Sequence, residues 1–161
     1  MLPSIFGFAL IIFSPSIKAS EATFTEAPQT IEGNTYDFES IAPLPTLILI
    51  VRNEEDIKSS FRLATALENH RDLFNYLIVA DLSEKSFFEV ISIKRTAKRF
   101  FKSELSKKRI SIENTKDLIQ AFSSPKTVKT GLVSNAKKIL WESPEHYSDL
   151  NELIEQAKLT D

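Results

Sequence analysis

Two short apolar runs, Thr46-Leu47-Ile48-Leu49-Ile50-Val51 and Tyr76-Leu77-Ile78-Val79-Ala80, flank a segment whose apolar residues recur at the helical period. Neither run alternates with polar residues, so each reads as a strand buried on both faces, joined to the other by a helical crossover. The pattern predicts one right-handed β-α-β unit at the centre of a covered sheet. In the crossover, Asn53 is the candidate N-cap, and Glu54, Glu55 and Asp56 sit where carboxylates favour the positive end of the helix dipole. The helix is expected to run to about Leu73, burying Ile57, Phe61, Ala64, Leu67 and Leu73, with His70 near its last turn.

A second helical pattern extends from about Ser86 to Lys108, with Val90, Ile93, Ala97, Phe100, Phe101 and Leu105 on its apolar side. Residues 110–122 carry a short strand and a short helix. Thr127–Ser134 and Lys138–Glu142 read as a β-hairpin around Asn135-Ala136-Lys137, although the glycine preferred in such turns is missing. Ser143-Pro144 stops the return strand. A closing helix follows, with Ser148 as candidate N-cap and Leu150, Leu153, Ile154 and Ala157 inward.

The amino-terminal pattern differs. An apolar run from Ile5 to Phe13 is broken by Pro15 and reaches Ile17-Lys18-Ala19, a small-residue cleavage site. Residues 1–19 therefore read as a secretory signal peptide, although no Lys or Arg precedes the run; it is too short to span a bilayer, which takes about 20 apolar residues. Cleavage after Ala19 predicts export to the periplasm or the medium. Residues 20–45 are polar and punctuated by Pro28, Gly33, Pro43 and Pro45, which predicts an irregular lead-in with one edge strand at Thr35–Ser40.

Composition narrows the chemistry. At 161 residues, 42% apolar and 26% charged, the chain fits one domain with a sizeable core, and residues 46–161 hold its pattern. The absence of cysteine excludes a thiol nucleophile, a disulfide and thiolate-held metal centres. His70 and His146 are the only histidines and have no ligand spacing around them, so no metal is expected. With glycine only at 7, 33 and 131, there is neither a phosphate loop nor a G-x-S-x-G elbow, and no cofactor is expected. Processing would leave 19 basic against 22 acidic side chains, a mildly acidic protein for which nucleic acid is not an expected partner.

The order of elements resembles the thioredoxin-like fold, and local matches resemble its peroxiredoxin and thiol-specific antioxidant branch. Pro45 to Val51 is similar to the branch's first core strand, and Tyr76 to Asp81 to its second, which commonly ends in Asp. Leu132 to Trp141 is similar to its final hairpin. The resemblance covers about Thr35 to Leu159. It implies an α/β three-layer sandwich: a central mixed sheet with a C-terminal β-hairpin and helices on both faces. The departures matter as much. The family's reactive cysteine lies just after the first core strand, where this chain has Arg52-Asn53-Glu54-Glu55-Asp56; Val128 aligns with the family's cis-proline, and Pro125 falls three residues early. The family's oxidoreductase and peroxidase activities therefore do not transfer to this chain, and no catalytic residue is assigned.

Two surfaces remain as candidates. In open α/β sheets ligands sit at the carboxyl ends of the strands, which here would gather Arg52, Asn53, Glu54 and Asp81. A pair of carboxylates there would suit acid–base chemistry without thiols; helix capping and a solvated strand end account for the same residues. The second surface is a basic helix face of Lys94, Arg95, Lys98, Arg99 and Lys102, suited to an acidic protein patch or an anionic envelope or lipid surface. Charge runs of this kind are more often a solvated face that keeps an apolar helix soluble. The aromatics Phe87, Phe88, Phe100, Phe101, Phe122 and Trp141 are expected in the core. The sequence thus points to an exported, non-redox binding or assembly factor of the cell envelope. The alternatives are a cysteine-independent enzyme at the strand ends and a non-catalytic subunit of a partner enzyme.

Overall fold

The computed structural model describes residues 22–39, 44–69, 75–102, 107–147 and 150–158. Six strands form one sheet in the order β1-β4-β3-β2-β5-β6. They are β1 (Gln29–Thr30), β2 (Thr46–Val51), β3 (Asn75–Ala80), β4 (Ile110–Glu113), β5 (Thr130–Val133) and β6 (Ile139–Ser143). Among the described residues the helices are α1 (Glu54–Leu67), α2 (Phe87–Phe100), α3 (Lys116–Ala121) and α4 (Leu150–Lys158). β2, β3 and β4 run parallel; β1, β5 and β6 pair antiparallel, so the sheet is mixed and ends in a hairpin, as the resemblance implies.

Both central strands are buried along their whole length, and the two clusters of side chains on either side of them explain why they show no polar alternation. Leu47, Leu49, Val51, Tyr76, Ile78 and Ala80 point to one face, where they meet Ile57, Leu63 and Leu67 of α1, Ile93 and Ala97 of α2, and Leu153 of α4. Ile48, Ile50, Leu77 and Val79 point to the other, against Leu118 and Ile119 of α3 and Phe24, Tyr36 and Phe38 of the lead-in. The lead-in is mostly irregular yet, among the described residues, supplies three of the thirteen buried residues of this second core, all three aromatic; Phe24 and Tyr36 both stand edge-on to Phe38.

Several boundaries move. The predicted edge strand at Thr35–Ser40 is replaced by β1, which pairs with β4, while Thr35 makes only an isolated bridge to Gln29. A two-residue strand has no periodicity to read, and its position follows from its partner alone. α1 stops at Leu67, and within it Ser60 and Leu63 are buried while Phe61 is half-buried, packed on Phe100 and Phe101. α2 starts as expected, on a capping box in which Ser86 and Glu89 satisfy each other's backbone amides, but it ends at Phe100. Phe101 leaves helical geometry and turns into the core. The hairpin closes without glycine because Lys137 adopts the left-handed conformation (φ 59°) and its amide bonds to the Ser134 carbonyl. The signal-peptide reading, His70, Leu73, Leu105 and Ser148 lie outside the described residues, as does the side chain of Ala157.

Gly131 has a packing reason rather than a conformational one. The Phe122 ring lies so close to β5 that a Cβ at position 131 would come within 2.3 Å of it.

Candidate functional site

The parallel register of β2 and β3 sets Val51 beside Ala80, so the next residues, Arg52 and Asp81, emerge together at the carboxyl end of the sheet. Arg52 Nε donates to Asp81 Oδ2 at 3.0 Å, and both side chains are largely shielded, at 20% and 12% exposure. The other two guanidinium nitrogens donate to backbone carbonyls, Nη1 to Val128 at 2.6 Å and Nη2 to Pro125 at 2.7 Å. Asp81 Oδ1 accepts from the amide and hydroxyl of Ser83. The position that follows the first core strand thus holds a guanidinium clasp. It ties the ends of two strands to the loop before β5, including Val128, the residue aligned with the family's proline.

The other strand-end residues are also engaged. Asn53 caps α1, its Oδ1 accepting the Asp56 amide at 2.9 Å. Asp56 reaches back to the Arg52 amide through Oδ2 (2.9 Å) and to His146 Nε2 through Oδ1 (3.0 Å). Burial pushes the Asp56 carboxyl up, but the His146 hydrogen bond, the Arg52 amide and the nearby His146 and Lys129 charges outweigh it and hold it below the usual carboxylate range. Glu54 turns away and accepts the Ser92 hydroxyl of α2. The structure therefore brings Arg52 and Asp81 together, keeps Asn53 as a cap, and sends Glu54 elsewhere.

A cleft of about 380 Å³ opens beside the clasp, lined by Arg52, Asp81, Glu84, Lys116 and Lys126 among others. Its rim is bridged by Lys126 and Glu84, 3.4 Å apart and well exposed. Chemically the two aspartates of this edge are both engaged, while Lys116 stands exposed on its rim. A general acid or base needs a carboxyl free to exchange its proton with a substrate, and here Asp81 is paired to a guanidinium and Asp56 is held ionised between an imidazole and an amide. Among the described residues no group of three acidic or imidazole side chains is placed to hold a metal ion.

The basic face divides. Lys94 is half-buried and pairs with Glu113 at 3.3 Å, and Arg109 lies over the Tyr76 ring and beside Glu68. Arg95, Lys98, Arg99 and Lys102 are exposed and enter no ion pair among the described residues. The expectation that Phe87 and Phe88 belong to the core is overturned: they are 73% and 81% exposed, with Ile91 at 39%. At 100° per residue, Phe88 and Ile91 fall on the same side of α2 as Arg95, Lys98 and Arg99, opposite the buried Ile93 and Ala97. The helix thus has a second, outward stripe. Phe101, Phe122 and Trp141 are buried and Phe100 half-buried, as expected.

No protein-family model matches the sequence, and no curated protein matches it. Solved structures do match the fold. The exposed lipoprotein thioredoxin of Streptococcus pneumoniae superposes with a TM-score of 0.60 at 12% identity, over 82% of this chain and 96% of that one. A putative electron transfer protein from Aquifex aeolicus gives 0.57 at 14% identity, over 88% and 99%. A SCO1/SenC family lipoprotein from Bacillus anthracis gives 0.56 at 9% identity, over 92% and 99%. The protein is a thioredoxin-like fold that has no cysteine and carries an arginine clasp after its first core strand.

Proposed function

We propose that the protein is an exported binding or assembly factor of the cell envelope, without thiol chemistry, that engages its partner through the outward stripe of α2. One observation carries this reading: Phe87, Phe88 and Ile91 continue into Arg95, Lys98 and Arg99 along one solvent-exposed face, with exposed Lys102 just past the helix end and no internal partner for these charges among the described residues. Apolar side chains gathered on an exposed face mark interaction surfaces, and an adjoining block of cations selects an anionic partner. The signal-peptide pattern of residues 1–19 supports export, and two structures with this fold are named as lipoproteins. Among the described residues no helix is long and apolar enough to cross a membrane.

The test is fractionation of cells followed by in-cell crosslinking of the envelope fraction. The wild-type chain is expected in that fraction, shortened at its amino terminus, with crosslinked products that disappear in a folded variant carrying Arg95→Glu, Lys98→Glu and Lys102→Glu. Residence in the cytoplasm, or the same products from both chains, would reject the reading.

A further inference from the structure

We infer that the outward stripe of α2 seats the protein on an anionic lipid bilayer, its aromatic end entering the headgroup region and its basic end lying over the charged surface. This rests on the reading of α2 as the working surface and names the partner of that surface.

The stripe has two halves of different chemistry on one helix. Phe87 and Phe88 stand edge to face, their ring centres 5.9 Å apart, and together make a single apolar knob at the start of α2. Both rings project into solvent, where an aromatic side chain gains nothing from the fold. Beyond Ile91 the same face turns cationic with Arg95, Lys98 and Arg99, and Lys102 follows just past the helix end. The one acid in α2, Glu89, is drawn off the stripe: its carboxylate bonds the Ser86 amide and hydroxyl and lies 3.7 Å from Lys85. Glu54 of α1 is likewise engaged, by Ser92. The stripe therefore presents aromatics and positive charge to the same partner.

A bilayer meets both halves at once. Helices that lie in a membrane interface combine bulky apolar side chains with Lys and Arg, the former buried in the headgroup boundary and the latter paired with anionic lipid. Phe87 and Phe88 stand well out in solvent, and a fluid surface covers projecting rings without a preformed pocket. An acidic protein patch would answer the cations and leave the two phenylalanines uncovered.

The experiment uses the full chain carrying Phe88→Trp, with the unaltered chain as blank for the buried Trp141. Vesicles of equal parts phosphatidylglycerol and phosphatidylcholine are expected to shift the new indole's emission to the blue, and brominated acyl chains to quench it. Neutral phosphatidylcholine vesicles should leave it unchanged. Because the readout is the depth of position 88, association through the apolar amino-terminal segment does not mimic it. Adding Arg95→Glu, Lys98→Glu and Arg99→Glu should weaken the response about a hundredfold, at roughly fivefold per basic residue removed from an anionic surface. Salt at about 1 M, where the screening length is roughly 3 Å, should do the same to the unreversed chain and needs no further substitution. Emission that stays water-like on anionic vesicles overturns the proposal. A photo-crosslinker at Ile91 that then captures an acidic protein would replace the bilayer with that protein and preserve α2 as the binding face. Silence in both assays overturns the binding reading as well.

Discussion

The carboxyl end of the sheet and the outer face of α2 both gather charged side chains and differ in how those side chains are engaged. At the sheet end the shielded groups have partners inside the chain: Arg52 binds Asp81 and two carbonyls, and Asp56 binds His146 and an amide. On α2 the cations of the outward stripe have none among the described residues, and the aromatic rings beside them are in water. In thioredoxin-like folds the first position draws attention, because strand ends are where such sheets bind ligands. Here the difference in satisfaction reverses the expectation. The clasp uses its groups to hold the fold, and the α2 face, the surface proposed above for a partner, leaves its groups open to solvent.

The sharpest way to break this comparison is Arg52→Ala. It would strand a shielded carboxylate and two carbonyls at once, so the expected loss is about 3 kcal/mol in a denaturant titration, with the main cooperative transition retained. A loss under about 0.5 kcal/mol would show that the guanidinium is dispensable to folding and free for a ligand, and the two regions would exchange roles.

Asp56 offers a second route, through pH. Its folded carboxyl lies below the unfolded value of about 3.9, so the ionised form contributes stability that is fully present above that value and is lost as pH falls through the lower, folded one. Asp56→Asn is therefore expected to cost about 2 kcal/mol near neutral pH, in line with losing hydrogen bonds to a charged group, and progressively less in acid. Thermal unfolding of both chains across the acid range checks this. A gap that stays constant with pH would remove the carboxylate's ionisation from the account.

How much of this was legible in the sequence depends on which interactions leave a pattern. The unbroken runs at Thr46–Val51 and Tyr76–Ala80 announced a sheet covered on both faces, because each neighbouring pair of side chains enters a different core. The same two runs placed Arg52 and Asp81 at one edge. What they could not reveal is that the guanidinium's other partners are the carbonyls of Pro125 and Val128, since a backbone acceptor carries no side-chain signal. His146 lies 90 residues from Asp56 and meets it only through tertiary packing. The exposed phenylalanines are different, for their signal was present. Phe88, Ile91 and Arg95 repeat at three and four residues on the face opposite Ile93 and Ala97, and only the general tendency of aromatics to be buried obscured it.

Within α2 itself, Ser86→Ala sharpens the contrast between what holds the helix and what it displays. Removing the capping hydroxyl takes away one half of a reciprocal pair and should cost about 1 kcal/mol by denaturant titration, while leaving Phe87 and Phe88 in place. If the helix frays at that end, the aromatic knob loses its rigid base, and the vesicle response should weaken together with stability. A full loss of stability with unchanged vesicle response would mean that the knob works without the helix beneath it.

The smallest expected effect is the most informative. Phe87→Ser and Phe88→Ser replace rings that are mostly in solvent, so each should change stability by less than about 0.5 kcal/mol, against about 3 kcal/mol for Ile93→Ala on the buried side of the same helix. If α2 is the binding face proposed above, stability near wild type together with lost membrane or partner association is the combination expected. A loss of more than about 1 kcal/mol at either position would mean that the rings pack within the chain in solution, and α2 would then be as self-satisfied as the arginine clasp.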